Sequence, residues 1–474
     1  MTKNYTRANK AARTELLYKG VAMKKQDIVE IRIDEIKFPN IGIGRIGDKK
    51  VQIKGALPGQ RLSIRILKAG RAVKANVLEV LHQAPQEIAP KCGVFGPCGG
   101  CAFQNIPYDY ELQLKTDMVR NLLSPLQLDA QFLPTIPAIS DEAYRNKMEF
   151  SFGDDGADGN LNLGMRRRGS FYEVVDASGC LIAHPDFGRI LAFTRDYFAK
   201  QGAAFYHRKK HTGTLRHLVV RRGALTGEIL VNLVTTGGDH TDWAAALLQI
   251  PLDGKIVGII GTVNNSVADA IIAEEIEILH GNDFYHEQFS EAAGGQRFKV
   301  GAFSFFQTNS QMAGDALYAT IADFAGDVSG KTIFDLYCGT GTIGIYLARH
   351  AADVIGIEII EEAVHAADEN AALNSVTNCR FIAGDVRKIV KTLDTRPDVI
   401  ILDPPREGIN PKAVPDIIAF DAKTIVYVSC KPSSLLNDLP PLMSAGYRPT
   451  KIRCVDMFPR TANIEVVIKL VKNN

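Results

Sequence analysis

The C-terminal part of the chain alternates short apolar runs with segments of helical periodicity. From about residue 302 onward, apolar runs predict strands, and the pattern from Glu361 to Asn374 predicts a helix between two of them. Such alternation indicates βαβ units and a largely parallel, Rossmann-like sheet. Two later segments, 452–456 and 463–470, are expected to pair antiparallel near one edge of that sheet. The parallel strands are predicted at Thr332–Leu336, Asp353–Ile357, Cys379–Ile382, Val399–Leu402 and Thr424–Val428.

The N-terminal part has a period of two instead. Apolar and polar residues alternate over Ile28–Ile33, Arg61–Leu67 and Ala75–Val80, as in half-buried strands. The glycine-containing segments 42–47 and 55–60 are predicted as turns between strands. Short strands with glycine turns indicate a small, OB-like β-barrel. Its polar positions carry basic residues, which suits RNA.

The middle of the chain mixes both patterns. A helix is predicted over Tyr108–Leu123, and strands over Met148–Phe152, Leu218–Arg221 and Glu228–Val234. The predicted fold is therefore α/β with a mixed α/β central domain. The predicted divisions are a basic extension at 1–23, the barrel at 24–83, the central domain at 84–301 and the Rossmann-like domain at 302–474.

Composition and charge narrow the class of protein. The chain of 474 residues is 46% hydrophobic and 23% charged, which is ordinary for a soluble protein. It contains no apolar stretch of about 18 residues and no apolar signal core at its start, so we expect a cytoplasmic protein without a membrane span. The net charge is only +2, but residues 1–25 carry seven basic residues and one acidic residue. Clustered cations of this kind either bind backbone phosphates or form a solvated surface.

A glycine-rich turn stands where the first parallel strand passes into a helix. The segment Asp335-Leu-Tyr-Cys-Gly339-Thr-Gly341-Thr-Ile-Gly344 would let the backbone approach a ligand closely. Glu358 ends the next strand, where it could accept hydrogen bonds from ribose hydroxyls, and Asp385 follows the third strand, where it could meet an adenine amino group. The arrangement suits any nucleoside cofactor, NAD included, but the spacing differs from the dinucleotide motif. It resembles the glycine loop of methyltransferases that use S-adenosylmethionine (SAM).

A thiol and a carboxylate follow two other strands. Cys430 ends the run that starts at Thr424, and Asp403 ends the run that starts at Val399. Ligands in open α/β sheets bind outside the carboxyl ends of the strands. We therefore expect these two side chains to share one site.

The chain resembles the RNA uracil-5 methyltransferase family through several motifs in order. The resemblance is dense over residues 302–474 and extends to the barrel, which is similar to a TRAM domain. The motifs are Phe305-Phe306-Gln307-x-Asn309, the glycine loop, Asp403-Pro-Pro-Arg-x-Gly408, Val428-Ser-Cys-x-Pro432 and Phe458-Pro-x-Thr461-x-x-x-Glu465.

The resemblance implies a reaction and a role for each residue. The Cys430 thiolate would add to C6 of uracil, which makes C5 nucleophilic enough to take a methyl group from SAM, and Glu465 would remove the C5 proton. Asp403 would orient the base or lie against the cofactor. The family usually has Asn where this chain has Lys431, and often a histidine within the segment 460–463. The SAM-contacting positions would be Gln307, Tyr337, Gly339, Gly341, Thr342, Glu358, Asp385 and Asp403.

Four further cysteines have ligand-like spacing. Cys92, Cys98 and Cys101 form a C-x5-C-x2-C run, and Cys180 follows far downstream. Four thiolates suit zinc or an iron–sulfur cluster, and they could also remain unligated. One branch of the resembled family holds a [4Fe–4S] cluster at this spacing, so the resemblance favours the cluster.

The expected activity is SAM-dependent methylation of uridine C5 in RNA by a monomer that binds no DNA. A barrel together with a cysteine cluster is typical of family members that act on 23S ribosomal RNA, although some archaeal transfer-RNA members carry both. Two alternatives stay open. One is a catalytically idle RNA-binding protein, suggested by Lys431, and the other is an NAD-dependent enzyme.

Overall fold

The computed structural model describes residues 24–70, 72–156, 159–268, 270–389 and 392–473. The basic extension predicted at 1–23 lies outside these residues. The chain divides into a smaller unit, made of residues up to 91 with 102–127 and 460–462, and a larger unit made of 92–101, 128–459 and the remaining C-terminal residues. The division into four segments remains a prediction. Within the described ranges, no helix is long and apolar enough to cross a membrane.

The smaller unit contains the predicted barrel. Its five strands close in the order β1-β2-β3-β5-β4, and helix α1, Tyr108–Leu123, belongs to the same unit. Apolar side chains at alternate positions point inward, so that Val51, Ile53 and Ile64 are fully buried. The strands are β1 Ile28–Lys37, β2 Ile41–Ile46, β3 Lys49–Lys54, β4 Arg61–Lys68 and β5 Val73–His82.

The turn predicted at residues 42–47 is wrong, because most of this segment is strand β2. A Cβ atom on Gly44 would lie 2.2 Å from the carbonyl oxygen of Arg32 and 2.8 Å from the Ile31 side chain. A Cβ atom on Gly42 would lie 2.7 Å from the Cβ of Ala56. These glycines therefore permit close contact inside the barrel, and only Gly47, with φ +60°, takes a turn conformation.

The larger unit contains a seven-stranded sheet in the order β13-β12-β11-β10-β7-β8-β9. Its core includes Phe150, Leu218 and Val231, together with side chains from helices α2, Pro185–Lys200, and α3, Thr241–Leu247. The three strands predicted in the middle of the chain all form. The strands are β7 Lys147–Asp154, β8 Leu161–Arg166, β9 Val174–Asp176, β10 Leu215–Arg222, β11 Glu228–Thr235, β12 Lys255–Val263 and β13 Glu275–Gly281, and β14 Phe284–Gln288 pairs separately with β15 Arg297–Gly301.

The same unit contains the predicted Rossmann-like sheet, with strand order β18-β17-β16-β19-β20-β22-β21-β6. The strands from β18 to β20 are parallel, whereas β22 is antiparallel to both β20 and β21. The α/β prediction and the antiparallel C-terminal pair are confirmed. The strands are β6 Gln131–Phe132, β16 Thr332–Leu336, β17 Asp353–Glu358, β18 Cys379–Ala383, β19 Val399–Leu402, β20 Thr424–Ser429, β21 Tyr447–Val455 and β22 Glu465–Lys472.

Helices cover both faces of this sheet. A continuous helical segment passes from α4, Ser310–Met312, through a π-helical turn to α5, Ala319–Ala325, and packs against β20 and β22. The predicted helix after Glu361 is α7. The remaining helices of this sheet are α6 Thr342–Ala348, α7 Glu361–Leu373, α8 Val386–Ile389, α9 Val414–Ala419 and α10 Leu435–Ser444.

Candidate active site

The antiparallel pairing of β20 with β22 brings Cys430 to Glu465. Ser429 is paired with Val466 and Val428 with Val467, so the same register continued by one residue sets Cys430 opposite Glu465. Directly opposed residues of an antiparallel pair project from the same face of the sheet. Two residues that are 35 positions apart in sequence thus meet where β20 ends and β22 begins.

Asp403 lies on the same side of the sheet. Leu402 pairs with Tyr427 in the parallel ladder of β19 and β20, so Asp403 follows at the level of Val428, two residues before Cys430. Since side chains alternate with a period of two, Asp403 and Cys430 point to the same face. The strand register thus places this thiol and this carboxylate at neighbouring strand ends, and that they share one site remains a prediction.

Burial and mutual repulsion change the acidity of these three groups. Burial, followed by the charges of Glu465 and Asp403, raises the pKa of the Cys430 thiol to about 11. Burial and then the charge of Asp403 raise the pKa of Glu465 to about 8, and burial raises the pKa of Asp403 to about 7. Perturbed ionisable groups gathered at strand ends are typical of a catalytic site.

Arg406 opposes this effect. Its guanidinium lowers the pKa of both Cys430 and Glu465, because a nearby positive charge favours the ionised forms. The side chain is exposed and donates a hydrogen bond of 3.3 Å to Asn463 Oδ1. Arg406 belongs to the Asp403-Pro-Pro-Arg motif, but its effect on both groups depends on the fold and is not encoded in the motif.

Glu465 carries an unpaired buried oxygen. The residue is 2% exposed, and its Oε2 atom has no hydrogen-bond partner among the described residues. A buried polar atom without a partner is costly and is rare away from functional sites. The atom is therefore available to accept a proton or a hydrogen bond from a bound molecule.

The glycine loop between β16 and α6 is held by Glu358. The Gly339 N–H donates to Glu358 Oε2 at 3.1 Å, and the N–H groups of Ile359 and Ile360 donate to Oε1 at 2.8 and 3.0 Å. The predicted SAM residues Gly339 and Glu358 are thus in direct contact. The loop is narrow, because a Cβ atom on Gly341, at φ +76°, would lie 2.7 Å from Phe381 Cζ.

Asp335, the first residue of the glycine motif, is a further functional candidate. It is completely buried on β16, and its Oδ2 accepts the Gly344 N–H at 3.0 Å, while no partner for Oδ1 is present in the described residues. Burial, followed by the charge of Asp403, raises its pKa to about 7. This carboxyl group connects the start of α6 to β16 by a hydrogen bond. Its place as the first residue of the glycine motif is the feature of the sequence that marks it as a candidate.

The segment that contains Gln307 lies against the same loop. The Thr340 hydroxyl donates to the Phe305 carbonyl oxygen at 3.5 Å, and the Gln307 carbonyl oxygen accepts from Asn146 Nδ2 at 3.1 Å. Phe305 is 68% exposed. Gln307 is half-buried and lies two residues after Phe305, whose carbonyl oxygen contacts the loop.

The other predicted SAM residues flank the loop. Tyr337 takes φ +69° at the end of β16, and burial raises the pKa of its hydroxyl to about 12. Thr342 begins α6, and its hydroxyl is 2.8 Å from the Tyr318 hydroxyl. Asp385 follows β18, where a hydrogen bond from the Arg387 guanidinium lowers its pKa.

The loop suits an adenosine-containing ligand. Gly339 and Gly341 have no side chains that would keep a ligand away from the backbone. The carboxylate of Glu358 lies at the end of β17, and that of Asp385 follows β18. Backbone approach at the first glycine turn, with carboxylates on the following strands, is the arrangement that nucleoside cofactors use in doubly wound folds. SAM fits this set of groups.

The four cysteines predicted as ligands all lie in the larger unit. All four are half-buried and form no disulfide among the described residues, and the Cys92 charge contributes to the raised pKa of both Cys98 and Cys180, after burial. Cys98 Sγ accepts the Gly100 N–H at 3.3 Å. The fold therefore brings thiols that are far apart in sequence close enough to interact.

Backbone donors surround these sulfurs. The N–H groups of Ile182 and Ala183 point to the Cys180 sulfur, and their hydrogen bonds lower its pKa against the larger effect of burial. Hydrogen bonds to sulfur are characteristic of iron–sulfur sites, and thiolates also bind zinc. Among the described residues, no three of these sulfurs lie within 4.8 Å of one another, which is wider than a single tetrahedral zinc ion requires, so their chemistry suits a larger cluster better than zinc.

Comparisons with known proteins agree with this architecture. A family model described as tRNA (Uracil-5-)-methyltransferase matches residues 267–473. An uncharacterized RNA methyltransferase of Caldanaerobacter subterraneus is 43% identical over 95% of this chain and 100% of its own length. One of Clostridium tetani is 44% identical over 95% of this chain and 99% of its own length.

A solved structure is also similar over nearly the whole chain. It is that of Pyrococcus abyssi tRNA (uracil-54, C5)-methyltransferase in complex with S-adenosyl-L-homocysteine. It matches with a TM-score of 0.74 and 26% identity, and covers 93% of this chain and 99% of that one. With a glycine loop that suits SAM and a thiol beside two carboxyl groups, the chain belongs to the RNA (uracil-5-)-methyltransferase family.

Proposed function

We propose that this enzyme methylates C5 of uridine in 23S ribosomal RNA through a covalent bond between Cys430 and C6 of the target uracil. The observation that carries the proposal is the register of β20 and β22, which sets Cys430 opposite the buried, unpaired carboxyl oxygen of Glu465. A nucleophile and a base on one face of a sheet, where β20 ends and β22 begins, match the needs of this reaction.

The Cys430 sulfur begins the reaction. Its thiolate adds to C6, the C5–C6 π electrons move toward the O4 carbonyl, and C5 becomes an enolate carbon. SAM, when bound, supplies an electrophilic methyl group that C5 takes as S-adenosyl-L-homocysteine departs. Glu465 then accepts the proton from C5, the C5–H electron pair restores the double bond, and the Cys430–C6 bond breaks to return the thiolate.

The remaining charged groups tune these steps. Arg406 favours the thiolate at Cys430 and the carboxylate at Glu465, as the pKa directions indicate. Asp403 raises the pKa of Glu465 toward neutrality, which makes that carboxylate a stronger base than an exposed one. Asp403 also lies at the right strand end to accept hydrogen bonds from the uracil ring or the cofactor. Asp335 positions the glycine loop through Gly344.

A [4Fe–4S] cluster held by Cys92, Cys98, Cys101 and Cys180 is the second part of the proposal. It is supported by the thiols that influence one another and by the N–H groups directed at Cys98 and Cys180. Methyl transfer needs no electron, so the role of the cluster would be structural.

We choose ribosomal RNA as the target because the chain combines the barrel with the four cysteines, and the resemblance associates this combination with ribosomal RNA. Transfer RNA is the second candidate. It is favoured by the Pyrococcus abyssi structure, since that protein is named for uracil-54 of tRNA and matches nearly the full length of this chain. Mapping 5-methyluridine in both RNA classes after deletion of the gene separates them, because the lost position identifies the target.

The covalent step is tested with RNA that contains 5-fluorouridine. Fluorine at C5 blocks proton removal, so the wild-type enzyme with SAM should accumulate an adduct that survives a denaturing gel. Cys430→Ala should form none, whereas Cys379→Ala, which alters a half-buried cysteine on β18, should form it normally. With unmodified uridine RNA, Glu465→Gln should accumulate the methylated adduct. An adduct formed by Cys430→Ala would refute the assignment of the nucleophile.

A further inference from the structure

Two loops of the larger unit bring aromatic rings and cations to one surface. One loop joins β8 to β9, and the other joins α2 to β10. The Tyr172 ring stacks on His207, with ring centroids 4.4 Å apart and planes inclined by 21°. The Arg208 guanidinium lies 5.9 Å from the centroid of the Phe171 ring and donates to the Phe171 carbonyl oxygen at 3.4 Å. We call this patch, with the adjacent Lys209 and Lys210, the Phe171 surface.

The chemistry of this patch differs from that of an ordinary solvated face. Phe171 is 74% exposed, and the neighbouring Lys209 and Lys210 are exposed as well. A single exposed ring is common on protein surfaces, so the combination of this ring with a stacked pair and adjacent cations is what distinguishes the patch. Aromatic rings flanked by cations are the elements with which proteins bind single-stranded nucleic acid, through base stacking and phosphate contacts.

The cysteine site supports the loop that carries Phe171. Arg168, three residues earlier, donates from Nε to the Cys98 carbonyl oxygen at 2.9 Å and from Nη2 to the Cys101 carbonyl oxygen. The Arg168 N–H also donates to the Pro97 carbonyl oxygen at 2.9 Å. The cysteine segment and the Phe171 loop are therefore joined by several hydrogen bonds.

We propose that the Phe171 surface binds a single-stranded segment of the RNA substrate outside the target nucleotide. A base stacks on the Phe171 ring, and Arg208, Lys209 and Lys210 neutralise the adjacent phosphates. Charge complementarity favours RNA as the occupant, since the patch combines three cations with a π face. This inference deepens the proposed function, on which it rests for the class of substrate, and assigns the cysteine site a task in holding an RNA-binding loop.

The test measures how the full-length enzyme binds fluorescein-labelled oligouridine, by fluorescence anisotropy. Loss of one stacked base weakens binding by about 5- to 150-fold, which is the expectation for Phe171→Ala, and Phe171→Trp should retain affinity. The double variant K209A/K210A should lower the slope of log affinity against log salt by about 1.4, which corresponds to two phosphate contacts on a single strand.

Matched controls alter exposed residues elsewhere in the same unit. Val267→Ala removes a side chain that is 72% exposed, and K255A/K423A removes two exposed lysines. Both controls should bind oligouridine as the wild type does, and SAM affinity, measured by calorimetry, should be unchanged in every variant. Equal weakening in the controls, unaltered binding by Phe171→Ala, or no binding of oligouridine by the wild type would each overturn the proposal.

The outcome is independent of the covalent mechanism. Oligouridine binding requires no methyl transfer, so the docking surface can be confirmed even where the 5-fluorouridine adduct fails to form. Conversely, an adduct with normal affinity in Phe171→Ala would refute the docking surface and leave the proposed reaction intact.

Discussion

Replacing Glu465 by Gln should make the protein more stable at neutral pH, although it should abolish turnover. The carboxyl group is 2% exposed, and its pKa is about 8, raised by burial and by Asp403 from an ordinary value of 4.5. The folded protein therefore binds a proton at Glu465 that the unfolded chain has already released. The contribution of Glu465 to the free energy of unfolding is therefore most favourable below pH 4.5. It falls as the pH rises, and the loss reaches its full size at about pH 8.

The size of the effect follows from that interval. Each pH unit between 4.5 and 8 costs about 1.4 kcal/mol, so raising the pH from 5.5 to 7.5 destabilises the wild type by about 3 kcal/mol through this one group. Glu465→Gln has no such dependence. The unfolding entropy is about 2.1 cal/mol/K per residue, and the larger unit has about 350 residues, so 3 kcal/mol corresponds to about 4 °C in Tm.

The assay is differential scanning calorimetry of wild type and variant at pH 5.5 and pH 7.5. The Tm of Glu465→Gln relative to wild type should rise by about 4 °C between the two pH values. Glu362→Gln, at an exposed position of α7, controls for the loss of one charge and should show no such change. An identical Tm difference at both pH values would show that Glu465 is not held protonated by burial.

Three further changes test the two ligand sites. Gly341→Ala should weaken SAM binding in calorimetry by about tenfold or more, because the new Cβ atom would lie 2.7 Å from Phe381 at φ +76°; unchanged affinity would contradict the narrow loop. Asp335→Ala should leave the Gly344 N–H without its acceptor and should lower SAM affinity; an unaltered SAM affinity would show that this bond does not hold the loop. The anaerobically purified wild type should be brown with about four iron atoms, and Cys180→Ala should lose this colour, whereas stoichiometric zinc in the wild type would refute the cluster.

The central strands of the Rossmann-like sheet could be predicted from sequence because nearly all of their positions are buried. Such strands are mostly apolar, and β16 and β19 have the bounds predicted for them. The barrel was also predictable as a class from its alternation. The segment around Gly44 was misread because glycine marks both a turn and a close approach of two strands, and only the pairing of β1 with β2 distinguishes these cases.

The sequence motifs identify candidate residues for the site, but they do not predict how these residues are arranged in space. The motif resemblance named Cys430 and Glu465, yet their pairing depends on β22 being inserted beside β20, a strand order that local pattern does not encode. The effect of Arg406 on both groups acts through space. The burial of Asp335 likewise depends on packing around α6, although its place in the glycine motif marked it for attention.

The register of β22 has a consequence for how this enzyme can fail. A slip of one residue would set Val466 opposite Cys430 and turn Glu465 to the other face, and it would also reverse the buried valines that follow. The same pairing thus specifies both the apolar core and the place of the base. A chain with a misregistered C-terminal strand would therefore lose activity together with the native packing of that strand.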